Sequence, residues 1–63
     1  MKRKEFVKEL ERQGCFLKRH GSNHDIFHNP LTQCSAPIPR HNEIADSLCN
    51  LIRKQLGIRK EIH

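Results

Sequence analysis

The chain has no tryptophan and no tyrosine, and only three phenylalanines, Phe6, Phe16 and Phe27, among its 63 residues. So few large side chains leave little to bury, and a unit below about 70–80 residues seldom gains more than a few kcal/mol from its core. These residues make one domain at most. Cysteine is scarce too: Cys15, Cys34 and Cys49 are odd in number, widely spaced and without a CxxC pair. That excludes a disulfide framework and reads as reduced thiols in a cytosol. No apolar run is long enough to span a membrane. The basic opening Met1-Lys2-Arg3-Lys4-Glu5 leads into further charges rather than the apolar stretch of a signal peptide, so a cytoplasmic location is expected. Acidic residues are also in deficit. Seven Asp and Glu against twelve Lys and Arg leave a formal charge of +5, which favours polyanionic partners, nucleic acid first, although a small basic protein can be charged merely for solubility.

Hydrophobic spacing sets the element order. Phe6, Val7 and Leu10 fall at i, i+1 and i+4 between Arg3 and Arg12, as on an amphipathic helix, and Gly14 is placed to stop it. The first turn carries Lys2, Arg3 and Lys4, the wrong sign for the positive end of the helix dipole, so this start should fray unless an anion sits nearby. Two β-compatible runs, Cys15 to His20 and Asn23 to His28, flank Gly21-Ser22 and predict a hairpin. A turn symmetric about that pair would set Phe16 opposite Phe27, Leu17 opposite Ile26, Lys18 opposite Asp25 and Arg19 opposite His24. Asn29-Pro30 ends the second run. Ser35 to Pro39 predicts a short third strand at a sheet edge, because the missing N–H groups of Pro37 and Pro39 lie on one side.

Asn42 is a suitable N-cap for a last helix, with Glu43 and Asp46 in its first turn and Ile44, Leu48, Leu51, Ile52 and Leu56 as its apolar stripe. Arg53 and Lys54 suit its negative end and Gly57 its C′ position; residues 59–63 form a basic tail beyond a single domain at 1–58. The fold class is α+β: helix, three-stranded antiparallel sheet, helix. Both helices bury Phe6, Leu10, Leu48 and Ile52 against one sheet face. This is the arrangement of the double-stranded RNA-binding domain, and by itself it does not choose between binding and catalysis.

Five histidines, His20, His24, His28, His41 and His63, stand out in so short a chain. His24 and His28 on one strand lie roughly 13 Å apart and cannot share an ion, and no cysteine or carboxylate sits at ligand spacing, so no metal is expected. A ribonuclease without metal needs a base for the ribose 2′-OH, an acid for the leaving 5′-oxygen and cationic donors for the phosphorane. Histidine suits the first two roles and arginine the third. Arg19 opposite His24 would serve one phosphate; the plainer reading is that both are solvated strand residues. Arg40 and His41, at the start of the last helix, would hold a flanking phosphate or merely cap the strand end. Phe16 and Phe27 would stack on a base if they share the open face, or form core if they do not.

Gly21-Ser22-Asn23-His24 followed by Ile26-Phe27, then Asn29-Pro30, Ile38-Pro39-Arg40-His41 and Glu43-Ile44, resemble the HicA toxins. The likeness runs nearly end to end, from the opening Lys-Arg-Lys-Glu-Phe helix to the closing Ile52-to-Ile58 segment. It implies the double-stranded RNA-binding-like fold, ribosome-independent cleavage of single-stranded mRNA, a catalytic histidine at His24, no cofactor, and a HicB-type antitoxin partner covering the site. Lys18, Arg19, Arg40 and His41 are the expected phosphate contacts. His20 and His28 stand at positions expected to vary, which leaves the general acid open. The alternative is a non-catalytic RNA-binding module of the same fold, although Glu43 and Asp46 at the last helix would repel phosphate.

Overall fold

The computed structural model describes residues 1–58, and the basic tail expected at 59–63 lies outside them. Helix α1 (Arg3–Arg12) is followed by strands β1 (Phe16–His20), β2 (His24–Asn29) and β3 (Cys34–Pro39) and by helix α2 (Asp46–Gln55). The strands form one antiparallel sheet in the order β1-β2-β3, so β3 is the edge strand that its prolines require. Phe6 and Leu10 of α1, Phe27, Ala36 and Ile38 of the sheet, and Cys49 and Ile52 of α2 share one buried cluster, which places both helices on the same sheet face. Among the described residues nothing covers the other face. Among the described residues no helix is long and apolar enough to cross a membrane.

The stripe of α2 differs from the expected one. Cys49, Ile52 and Leu56 are buried, whereas Leu48 is 36% and Leu51 49% exposed. The cause is the start of the helix, which lies at Asp46 with Ala45 rather than Asn42 at its cap. Asn42 spends its carbonyl on the N–H of Arg3 (2.8 Å), Lys2 and Glu43 form a β-bridge, and the N–H of Ile44 donates to the carbonyl of Met1 (2.9 Å). Residues 40–45 are therefore an extended arm laid along the start of α1. Ile44 is buried from that arm and not from a helix, and of the expected acidic pair only Asp46 stands in the first turn.

The start of α1 does not fray, because the anion its basic turn calls for is built in. Arg3 donates from Nη2 to Asp25 Oδ2 at 2.7 Å and from Nε to the carbonyl of Pro39 at 2.8 Å. Further along the helix, Glu9 takes Arg53 of α2 in a two-point grip (2.6 and 2.8 Å), with that guanidinium 5.2 Å from the ring centroid of Phe6. The hydrogen bond from Arg53 holds the carboxyl of Glu9 below its usual range against the opposing effect of burial. The partners of Asp25, His20 first, do the same there.

Both helices end in the same way. Gly14 (φ +91°) and Gly57 (φ +73°) sit at C′ in the left-handed region. The following residue returns its N–H to a carbonyl five positions back: Cys15 to Leu10, Ile58 to Arg53. The two glycines differ in surroundings, since a Cβ on Gly57 would lie 2.7 Å from Thr32 Cγ2 while one on Gly14 meets nothing. That threonine donates to the carbonyl of Leu56 (2.7 Å), as does Asn29 Nδ2 (2.8 Å), so β2 and its following loop clamp the end of α2.

Two outcomes are expected. Gly14→Ala should cost about 1–2 kcal/mol, the strain of a left-handed alanine, and Gly57→Ala distinctly more; equal losses in urea unfolding would contradict the Thr32 contact. Depressed carboxyls at Asp25 and Glu9 contribute stability that is present above their unfolded values of about 3.9 and 4.3 and is lost as pH falls through the lower folded ones. The Tm of the native chain should therefore drop more steeply below about pH 4 than that of an Asp25→Asn, Glu9→Gln double variant or of Glu9→Gln alone. Parallel Tm curves would refute it.

Candidate nucleic-acid face and its histidine

Alternation along β2 divides its side chains between the two faces. Asp25, Phe27 and Asn29 are buried toward the helices, and His24, Ile26 and His28 lie on the open side. The hairpin register differs from the symmetric one. His20 pairs with Asp25 and Arg19 with Ile26, and after a bulge at Lys18 the pairs are Leu17 with Phe27 and Phe16 with His28. The turn is thus displaced by one residue, centred on Ser22-Asn23 and closed by the N–H of Gly21 on the carbonyl of His24 at 2.7 Å. Arg19 and His24 do not face each other as the symmetric turn would have them. They share the open face instead, one row apart.

Arg40 holds the turn in this displaced position. Its guanidinium donates to the carbonyls of Gly21 (2.7 Å), Ser22 (3.3 Å) and, at the limit, His24 (3.5 Å), and its Nε donates to Asp25 Oδ1 at 3.0 Å. The His24 carbonyl also accepts from Gly21, so for the carbonyls of Gly21 and Ser22 Arg40 is the side-chain donor. Arg40 is therefore a clamp on the turn and not at the start of a helix, so the helix N-terminal anion site expected for Arg40 and His41 is absent from these residues. His41 is exposed on the extended arm, next to Asn42, whose carbonyl accepts from the N–H of Arg3.

Asp25, which the sequence reading paired with Lys18 and gave no role, is the centre of this end of the molecule. Its buried carboxylate accepts from Arg3 (2.7 Å), from Arg40 (3.0 Å) and from His20 Nδ1 (2.8 Å). The signal for it was the period-two parity with Phe27, which puts a carboxylate on the apolar face and demands cationic partners there. His20 is 70% exposed beyond this bond, so Asp25 fixes the ring's Nδ1 and leaves its other nitrogen toward solvent.

On the open face, directly opposed residues form three rows across the sheet. Phe16, His28 and Ser35 make the first, Arg19, Ile26 and Pro37 the second, and His24 and Pro39 the third. His24 is exposed, and among the described residues its ring has no hydrogen-bond partner, whereas its backbone is held by Gly21 and Arg40. Lys18 and Arg19 are exposed on β1. Phe16 and Phe27 fall on opposite faces: Phe27 is core, while Phe16 contacts the His28 ring edge to face, with centroids 5.6 Å apart.

Among the described residues no three His, Cys, Asp or Glu side chains gather as a metal-binding group. Cys15 and Cys49 are buried, and burial pushes both thiols above the ordinary range, away from nucleophilic use. The chemistry this end can offer is an unengaged imidazole on a rigid turn, a second imidazole oriented by a carboxylate, and cations on an open sheet.

Neither a curated protein nor a solved structure matches the chain at a significant level. The family model for the HicA toxin of bacterial toxin–antitoxin systems matches residues 3–58, all but the first two of the described residues. The chain therefore belongs to the HicA toxin family, and as the toxin of a toxin–antitoxin system it has an antitoxin as its partner.

Proposed function

We propose that this toxin is a metal-independent endoribonuclease that cleaves single-stranded mRNA with His24 as its catalytic residue, and that its antitoxin is of the HicB type and covers the open sheet face. The observation that carries the reading is the state of His24: an exposed ring that has no hydrogen-bond partner among the described residues, beside a turn whose backbone is fixed from Arg40 and Gly21. A ring with no structural partner on so constrained a backbone is positioned for a substrate.

In this reading His24 takes the proton from a ribose 2′-OH. The 2′-oxygen attacks the adjacent phosphorus, the bond from phosphorus to the 5′-oxygen breaks, and that oxygen takes a proton from water. Lys18 and Arg19 supply the positive charge for the phosphorane on the same strand pair. His28 stands four strand residues from His24, roughly 13 Å, too far to protonate the same leaving group. Arg40 serves as a positioning residue, since its donors are engaged by the turn and by Asp25. Residues 1–58 make the toxin domain.

His24→Ala should lower the cleavage rate of a labelled single-stranded RNA in EDTA by about 10²–10⁴-fold, the usual contribution of a general base, with RNA affinity and Tm unchanged. Equal binding without cutting by the native chain and the variant would replace the nuclease with an RNA-binding module. The clamp role of Arg40 has its own test. Each phosphate contact removed from a single strand should flatten the salt dependence of binding by about 0.7 in log–log slope. Lys18→Ala and Arg19→Ala should each do so, while Arg40→Ala should slow cleavage and leave the slope as it was. A flatter slope for Arg40→Ala would return that residue to phosphate binding.

A further inference from the structure

The first row of the open face has no part in the chemistry assigned to His24, yet it is built. Phe16, His28 and Ser35 are directly opposed across all three strands. The hydroxyl of Ser35 lies 2.8 Å from His28 Nδ1, which fixes the imidazole, and the ring of Phe16 meets it at an interplanar angle of 63°. Phe16 remains 47% exposed in a chain with only three aromatic residues. A phenylalanine needed for the core would lie between the helices and the sheet, as Phe6 and Phe27 do. Here the bulge at Lys18 shifts the strand so that Phe16 pairs with His28 on the open side.

Exposed aromatic rings beside cations on an open surface are the usual platform for bases of a single strand, because each base has a π-face and the cations supply charge for the backbone. The rows lie about two strand residues apart, roughly 6.6 Å, comparable to one nucleotide of an extended strand. Resting on the RNA-cleavage reading above, we infer that Phe16 and His28 form a nucleobase subsite. It takes a base about two nucleotides from the phosphate at His24, the linking nucleotide crossing the intervening row of Ile26 and Pro37. Ser35 sets the subsite by holding the His28 ring. The subsite fixes where along the strand the toxin cuts, and it leaves the proton transfer at His24 alone.

The test is a set of single-stranded RNA oligonucleotides of one sequence, each with a single abasic nucleotide at a different position, cleaved in EDTA by the full chain and by Phe16→Ala. For the native chain KM should rise about five- to a hundredfold, the loss of one base–aromatic stack, only when the abasic position falls about two nucleotides from the cut on one side. Phe16→Ala should show the raised KM on intact RNA, with kcat kept, and should be indifferent to that abasic position. Phe16→Leu, which retains the apolar contact, carries the same comparison if the alanine variant loses Tm. A flat response of the native chain to every abasic position, with normal cutting, overturns the subsite. Absence of cutting by the native chain on all substrates overturns the nuclease reading instead, which keeps the two failures distinct.

Discussion

Three cationic or imidazole side chains from separate parts of the chain converge on the carboxylate of Asp25: Arg3 from the start of α1, His20 from the end of β1 and Arg40 from just beyond β3. A carboxylate on the apolar face of a central strand is costly unless its oxygens are occupied by charged donors. Meeting that requirement draws α1, the hairpin and the arm after β3 to one point. Arg40 then has donors left for the carbonyls of the turn and holds it in its displaced register. The position of His24 follows from this chain of contacts. Asn29 performs the matching task at the other end of β2, where its amide holds the last carbonyl of α2.

The helices occupy one face of the sheet, and the whole buried cluster lies between them and it. The opposite face is left with histidines, cations and an exposed phenylalanine, none of which a core requires. Such a surface is stable alone only because the small core beneath it is pinned by polar clamps at both ends of β2 and by Glu9 with Arg53. In the proposed reading an antitoxin that covers it adds stability by binding the folded state alone, by an amount that rises with the logarithm of its concentration over the dissociation constant. The same uncovered face, in the proposed reading, admits RNA when the antitoxin is absent.

Local signals made the parts legible where local physics decides them. The bounds of α1 follow from Phe6, Val7, Leu10 and the stop at Gly14, and the edge position of β3 from Pro37 and Pro39. The family and the Gly21-to-His24 motif were legible because a short constrained turn keeps its residues in order. The hairpin register was not, because it is set by Arg40, sixteen residues beyond His24 and invisible to turn propensities. Nor was the start of α2: Asn42 has the right chemistry for a cap, but Arg3 and Lys2 recruit this segment as an extended arm, and no rule of spacing anticipates that partner. Leu48 and Leu51 fit a helical stripe equally well by sequence, and only the shifted start turns Cys49 inward in their place.

Side-chain NMR of the histidines and phenylalanines tests the central claim most directly, during titration with a single-stranded RNA made resistant to cutting by 2′-deoxy substitution. The account predicts that the rings of His24, His28 and Phe16 shift together at low ratios of RNA, while Phe6 and Phe27, behind the sheet, hold their positions. Shifts confined to the basic residues along α1, with the three open-face rings unmoved, would contradict it and place the nucleic acid on the helical side of the molecule.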